Sequence, residues 1–482
     1  ASDVYKRQGI SLFQTPPWVT GVFYAVLGFL FGVLAERTTY CIVIATHQVM
    51  GVRYSRIYEM ILMGIAVSAL LTGVLVAVNA VPYVDAYVHM PGAGWFTVLG
   101  SFIFGFGIML GQGCMVGMLW KSGQGYVTNW LEIIGMMVGT MIFAFPIYNG
   151  LSLEWWWHHN TVLSIANGSP YNYVPFLLTK IGSDGLPINV TALIAGIVFF
   201  IAIMFVVWRL RRNRLEFEGH ENWKNSPLFY GTLFGLFMVA SFIFLAGRGF
   251  NYLGVTTPVG LLAEYVSTIF GFIPGSKAVP LNWFQTVGAL NPFTFFILMV
   301  VSGAMLASMY RGTFAIRLPP PNTNRFAELA IAFIGGIRLA IGARIAQGCS
   351  VGGFWSGLAG LSLFGLLFTL GFIPGTIAGY YAYVYLSSLA ARRVKMTRIT
   401  VSQVKFDNRI PAIIFSIVWG LIMIGVGFYV IYVGPHLAKA ITESAAVQYG
   451  DILIGTGILV AISGILINLA KMRRKEELAI QR

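Results

Sequence analysis

Long apolar stretches separated by short polar segments dominate the chain. Eleven of them are long enough to cross a bilayer, which takes about 20 mostly apolar residues. They run over about 17–36, 57–81, 95–112, 127–149, 188–209, 228–246, 290–311, 327–346, 362–387, 411–434 and 450–471. The pattern predicts an all-α polytopic membrane protein with about eleven transmembrane helices.

Four further apolar stretches are too short, or too interrupted by Gly, Thr and Asn, to cross a bilayer. They lie at about 38–51, 113–124 and 250–268, and directly after Gly348. Irregular backbone inside a bilayer is tolerated only where protein or a water-filled cavity covers it. We therefore predict four re-entrant half-helices that line an internal path.

One motif occurs twice. Gly107–Gly117 reads GIMLGQGCMVG, and Gly342–Gly352 reads GARIAQGCSVG. The order span, half-span, span, span, half-span, span also repeats, over about 17–149 and 228–387. Because five spans, an odd number, separate the starts of the two copies, the second copy is predicted to be inverted in the membrane. Inverted repeats with broken helices are common in secondary transporters.

This organisation divides the chain into five predicted segments. Residues 1–16 form an N-terminal tail, and 17–149 form the first inverted repeat. Residues 150–227 contain an outer loop, a linker span and a basic cytoplasmic loop, and 228–390 form the second inverted repeat. Residues 391–482 add two C-terminal spans and a basic tail.

Composition excludes the soluble classes of protein. Only 10% of the residues are charged, against about 25% in a soluble domain, and the mean hydropathy is +0.77. A soluble enzyme, a disordered chain and a fibrous protein are therefore all excluded. The partners predicted from composition are membrane lipid and a small solute.

The net charge of +14 lies in short Lys/Arg runs between the spans, as at 209–214, 392–398 and 471–475. These runs fall on one side of the membrane when the spans are threaded, and the opposite loops carry almost no Lys or Arg. Cytoplasmic loops are enriched in Lys and Arg. We therefore predict a multi-pass protein of the cell inner (plasma) membrane with a cytoplasmic C-terminus, and no nucleic-acid partner.

Each of the three cysteines lies at the predicted start of a half-helix: Cys41, Cys114 and Cys349. A helix N-terminus offers unpaired N–H groups and partial positive charge to an anion. The thiol is a weak donor and a soft, polarizable contact, and a desolvated path favours its neutral form. Gly113 and Gly348 precede two of the cysteines and are predicted to let the substrate approach the backbone. Together these residues predict a path for an anion that presents sulfur or selenium.

The predicted path includes five further residues: Gln112, Gln347, Gly254, Thr256 and Arg344. The two glutamines belong to the repeated motif. Gly254 and Thr256 lie where symmetry places the partner of the first cysteine, and they either contact the anion or form a plain polar turn. Arg344 either attracts the anion at the outer mouth or extends its charged end to the membrane interface.

These residues together resemble the YeeE/YedE sulfur-transport family over about 17–390. The resemblance rests on the paired G-x-x-x-[GA]-Q-G-C-x-V-G motifs, the Thr-Thr-Tyr-Cys turn at Cys41 and the Gly-Val-Thr-Thr loop at 254–257. It implies an hourglass of two inverted repeats that takes up thiosulfate along the cysteines by S–H···S contacts, without an enzymatic reaction. It also implies work with a small cytosolic sulfur carrier of the TusA type. The spans at about 411–471 and the long loop at 150–187 are extra to the family pattern.

The function predicted is therefore a transporter or channel for uptake of a sulfur-containing anion, most simply thiosulfate, with no metal and no cofactor. A selenium-compound transporter of the same family is the first alternative. A copper(I) permease is another, because Cys and Met suit that ion and three methionines lie near Cys114: Met109, Met115 and Met118. A membrane thiol oxidoreductase would need a close cysteine pair, which the spacing of the three cysteines does not indicate.

Overall fold

The computed structural model is almost entirely helical. It describes residues 17–86, 90–143, 165, 169–180, 186–213, 226–245, 253–256, 258–260, 262–263, 292–319, 324–392, 409–437 and 443–480. Within these ranges the only β-pairing consists of isolated bridges. The all-α prediction is therefore confirmed.

The long helices and two of the half-helices follow one another along the chain. They are α1 Pro17–Thr38, α2 Ile42–Val52, α3 Arg56–Ala77, α4 Trp95–Gly111, α5 Met115–Gly123, α6 Val127–Ile142, α7 Ile188–Arg212, α8 Pro227–Leu245, α9 Pro292–Arg311, α10 Arg325–Ile345, α11 Leu363–Arg392, α12 Arg409–Leu437 and α13 Glu443–Ile480. Shorter helical turns occupy Tyr83–Ala86, Pro170–Asn172, Val174–Leu178, Ser350–Trp355 and Ser356–Ala359.

Ten stretches of helix are long and apolar enough to cross a membrane in the part of the chain that is described. The eleventh predicted span is α6, which has 16 residues, and its expected continuation to 149 lies outside the described residues. A polytopic membrane protein is thus confirmed. The N-terminal tail, 1–16, also lies outside the described residues.

Three of the four predicted half-helices are described as continuous segments, and none of the three can cross a membrane. The helices α2 and α5 have 11 and 9 residues, which at about 1.5 Å per residue gives roughly half of the about 30 Å hydrocarbon core. After Cys349 the chain forms wide helical turns over Ser350–Trp355 and then the turn Ser356–Ala359. The remaining half-helix is described only at 253–256, 258–260 and 262–263.

Helix packing repeats between the two copies of the motif. Helix α1 of the first copy packs against α9 of the second copy. Its equivalent in the second copy, α8, packs against α3 of the first copy. Likewise α4 packs against α11 and α10 against α6, while α4 and α10 pack against each other. Exchanging the two copies converts the other four contacts into one another and leaves the α4–α10 contact unchanged. The inverted orientation of the second copy and the five segment boundaries stay predictions.

Close approach of these helices depends on glycine. A methyl group at Gly28 of α1 would lie 2.8 Å from Cα of Phe296 in α9. One at Gly375 of α11 would lie 2.9 Å from Cα of Phe102 in α4. Small residues let membrane helices bring their backbones together, because little hydrophobic force acts between helices in lipid.

The two extra C-terminal helices attach to the outside of this arrangement. They pack against each other, and both contact α9, while α13 also contacts α1. The Trp419 indole N–H donates to the Ser302 hydroxyl oxygen at 2.8 Å, and the Lys471 ammonium donates to the Met309 carbonyl at 2.7 Å. The helices α12 and α13 therefore brace α9 without taking part in the repeated packing.

The segment between α6 and α7 is bonded to the chain before α4 and to the start of α11, in part through one buried amide. Asn172 donates from Nδ2 to the Pro91 carbonyl at 2.7 Å and accepts from the Phe364 N–H at 2.8 Å. Pro91 precedes α4, and Phe364 lies at the start of α11. Phe364 is buried and Pro91 is half-buried, so the Phe364 N–H depends most on this side chain for its hydrogen bond.

Replacing Asn172 by Ala is expected to destabilise the protein. Each buried backbone group left without a partner costs about 1–3 kcal/mol, so the melting temperature in detergent should fall clearly. The control is Lys180→Gln, an exposed residue of the same segment, which should melt like the unaltered chain. Equal melting of the two variants would show that Asn172 does not secure the loop.

Candidate functional site

The three cysteines share one backbone geometry. Two residues before each, a residue adopts the left-handed conformation: Thr39 (φ 58°), Gln112 (φ 62°) and Gln347 (φ 56°). Non-glycine residues adopt it rarely, and it commonly ends a helix. The cysteine that follows has extended backbone and is the cap residue of the next helical segment.

Tertiary structure brings two cysteines together although 73 residues separate them. The Cys114 thiol donates to Cys41 Sγ at 3.6 Å, and both side chains are buried. The Gly117 N–H donates to Cys114 Sγ at 3.3 Å. A methyl group at Gly117 would lie 2.6 Å from Cys41 Sγ, so only glycine leaves room for the pair. Gly117 ends the repeated motif but was not among the predicted path residues.

The third cysteine has an equivalent setting without a second thiol. Cys349 is buried and accepts the Gly352 N–H at 3.3 Å. A methyl group at Gly352 would lie 4.0 Å from Cα of Gly254. Gly254 therefore lies near Gly352, in the region where symmetry predicts the partner of Cys41. Among the described residues, no atom lies within 4 Å of a methyl group built on Gly254, so open space takes the place of the thiol.

The glycines before the cysteines serve the packing of the turns. A methyl group at Gly113 would lie 2.6 Å from Met118 Cγ and would also meet the Glu132 carboxylate. One at Gly348 would lie 2.9 Å from the ring of Phe364. The space that a side chain would occupy beside both glycines is therefore filled by protein.

The glutamines before these glycines are half-buried. The Gln112 amide donates from Nε2 to the Met109 carbonyl at 2.6 Å and so caps the end of its own helix. Gln347 has the same backbone conformation at the end of α10. Both glutamines therefore lie in the turns, and the described contact of Gln112 is structural.

Arg344 connects α10 to the third half-helix. Only 5% of its surface is exposed, and Nη2 donates to the Thr256 carbonyl at 3.4 Å. Its guanidinium also lies against Gly260. These contacts favour a role for Arg344 inside the protein over an extension to the membrane interface. Thr256 is buried, and its backbone carbonyl, not its hydroxyl, makes this contact.

Two charged residues that were not predicted hold the turn before Cys114. The Lys121 ammonium donates to the Gln112 carbonyl at 2.9 Å. The buried Glu132 carboxylate accepts from Asn129 Nδ2 at 2.9 Å, and its Oε1 has no hydrogen-bond partner among the described residues. Both lie within stretches that the hydropathy pattern places in the membrane, where an ionisable residue commonly has a functional role. The presence of a charged residue within a predicted membrane segment was the sequence signal that could have identified Lys121 and Glu132 as candidate site residues.

The methionines considered for copper are buried core residues. Met118 packs against Gly113. In the described part of the chain, no three His, Cys, Asp or Glu side chains are grouped as they would be around a metal ion.

The family model described as sulphur transport matches residues 37–378, which is well over half of the chain. The chain belongs to the sulphur transport family. The match includes all three cysteines and ends within α11, so α12 and α13 lie outside it. The family resemblance predicted from the cysteine motifs is thereby confirmed, and the two C-terminal helices are additions to the matched region.

Two curated relatives of this sulphur transport protein cover most of its length, and a third covers a quarter of it. The thiosulfate transporter TsuA of Spirochaeta thermophila is 25% identical over 358 residues, which is 73% of this chain and 95% of that protein. TsuA of Escherichia coli is 23% identical over 347 residues, 68% of this chain and 84% of that protein. The probable transporter YedE of E. coli is 30% identical over 122 residues, 25% of this chain and 28% of that protein.

Proposed function

We propose that this protein carries a sulfur-containing anion, thiosulfate first, into the cell across the inner membrane. The observation that carries the proposal is the hydrogen-bonded pair of Cys114 and Cys41 at the starts of two half-helices. The choice of anion is supported by the chain's membership of the sulphur transport family and by the thiosulfate transporters among its relatives. No covalent step is needed, so the protein acts as a transporter and not as an enzyme.

Neutral thiols suit this substrate for two reasons. A thiol can donate to the terminal sulfur of thiosulfate, whereas a thiolate would repel the anion. Helix N-termini add partial positive charge where the anion loses its water. The anion would meet the Cys349 thiol beside the open space at Gly254 in one repeat, and the Cys41–Cys114 pair in the other.

The orientation and the partner belong to the same proposal. The basic runs favour a cytoplasmic C-terminus in the inner membrane. Lys471, in the last basic run, contacts the Met309 carbonyl close to Arg311, which supports placing these two basic segments on one face. A cytosolic sulfur carrier of the TusA type would take over the anion at that face.

Uptake of labelled thiosulfate into proteoliposomes tests the proposal. We expect uptake above that of protein-free vesicles, abolished by excess unlabelled thiosulfate and little affected by excess sulfate, because sulfate has no terminal sulfur to accept from a thiol. Selenite that inhibits as strongly as thiosulfate would favour the selenium alternative. Uptake no faster than in empty vesicles would exclude the proposed function.

A further inference from the structure

A polar cavity of about 400 Å³ is lined by Thr39 and Lys121, which lie close in the chain to Cys41 and Cys114. We call it the basic vestibule and define it by six of its lining residues: Glu36, Arg37, Thr39, Lys121, Arg311 and Arg317. Its volume falls within the about 300–1,000 Å³ of small-molecule pockets. It is not part of the path predicted from the sequence.

The charge of the basic vestibule favours an anion. Four basic side chains line it against a single carboxylate, that of Glu36. This carboxylate is already bonded, because it accepts from Gln124 Nε2 at 2.6 Å and from Arg311 Nη1 at 2.9 Å. The remaining cationic groups, Arg37, Lys121 and Arg317, leave the cavity with an excess of positive charge.

One of these cations is held in place before any anion arrives. The Arg317 guanidinium stacks over the Tyr126 ring at 4.6 Å and donates to the Thr313 carbonyl at 2.6 Å. It also donates to Gln124 Oε1 at 3.2 Å, and Gln124 is in turn bonded to Glu36. A guanidinium that is already oriented loses less entropy when it binds an anion.

Lining residues of the basic vestibule lie next to the turns that carry the two thiols, although neither cysteine lines it. Thr39 lies two residues before Cys41, in the left-handed turn. The Lys121 ammonium donates to the Gln112 carbonyl at 2.9 Å, in the turn before Cys114. Because an ammonium has three N–H donors, Lys121 can bind a second acceptor while it holds the turn.

We propose that the basic vestibule is a second anion site, which binds the oxygen end of a tetrahedral sulfur oxyanion dianion. This rests on the proposed function, since the anion would reach the basic vestibule from the Cys41–Cys114 pair. Guanidinium and ammonium groups bind oxyanion oxygens, whereas thiols suit the terminal sulfur. Thiosulfate held between the two would point its oxygens at Arg37, Arg317 and Lys121, which line the cavity, and its terminal sulfur at the thiols. Sulfate would bind the basic vestibule as well, although it would not pass the thiols.

The test measures binding without transport. A chain with Cys41→Ala, Cys114→Ala and Cys349→Ala is purified in neutral detergent and titrated with labelled thiosulfate. We expect one thiosulfate to bind per chain and sulfate to displace it. Adding Arg37→Gln and Arg317→Gln should weaken binding by about tenfold or more, because hydrogen bonds to a charged ligand are lost. The control is Arg325→Gln, an exposed arginine that does not line the cavity, which should leave the affinity unchanged.

Each contrary result overturns the inference. If the cysteine-free chain melts normally but binds no thiosulfate, the inference fails. It also fails if the affinity is the same with and without Arg37 and Arg317. Displacement by a short-chain phosphatidylglycerol but not by sulfate would assign the cavity to a lipid headgroup instead. If the cysteine-free chain does not fold, sulfate binding to the chain with its cysteines must fall on Arg37→Gln and Arg317→Gln. These results are separable from the proposed function, because thiosulfate uptake can persist without a second site.

Discussion

Replacing Cys114 by Ala is expected to reduce thiosulfate uptake by about ten- to a hundredfold at equal protein level. The variant loses the thiol that donates to Cys41 and that would contact the anion in the path. A hydrogen bond to a charged group contributes about 1.5–3 kcal/mol, and each 1.4 kcal/mol is about a factor of ten. The measurement is the initial rate of labelled thiosulfate uptake by proteoliposomes, corrected for reconstituted protein. The melting temperature should fall less than in Asn172→Ala, because the Gly117 N–H loses only a weak sulfur acceptor.

Serine at position 114 separates the two roles of the thiol. Cys114→Ser keeps a donor of nearly the same size and removes only the soft sulfur. If sulfur-to-sulfur contact is required, the Ser variant should fail as the Ala variant does; if donation suffices, it should keep much of the rate. Cys349 and Cys41 should respond in the same direction.

A control variant guards against a general effect of altering buried small residues. Thr72→Ala changes an equally buried side chain in α3, away from the cysteine turns, and should transport normally. Full uptake by a chain that lacks all three cysteines would contradict the proposed path.

Replacing Gly254 by Leu is expected to reduce uptake by about tenfold or more by filling the open space beside Cys349, if an anion must occupy that space. The position does not require glycine for its backbone, because Gly254 is not among the described glycines with positive φ. A matched control exists in Gly455→Leu of α13, since a methyl group there also meets no described atom within 4 Å. Both variants should fold, and only the first should lose uptake.

Gly254→Cys makes the same test from the opposite direction. It would place a small thiol at Gly254, near Gly352, and should therefore keep more activity than Gly254→Leu. Both rates are measured by the same proteoliposome uptake assay. Normal uptake by Gly254→Leu would show that the space beside Cys349 is not part of the path.

The sequence by itself determined the spans, the half-helices and the repeat. A bilayer requires about 20 apolar residues per crossing, so shorter stretches at about 38–51 and 113–124 could be recognised as half-helices. The repeated motif then placed Cys114 and Cys349 at equivalent starts. These are local properties, since a helix start depends on residues next to each other in the chain.

Only the tertiary structure decided which of these starts meet. The contact of Cys41 with Cys114 joins residues 73 positions apart, and Gly117 permits it by having no side chain. The position of Arg344 within a span does not tell whether its side chain contacts the third half-helix or the membrane interface. Both placements fit the same hydropathy pattern. The role of Lys121 likewise follows from its hydrogen bond to the Gln112 carbonyl at 2.9 Å. This contact forms because α5 folds back on the turn. Spacing along the chain carries none of these distances, since they are fixed by how closely glycine lets the helices approach.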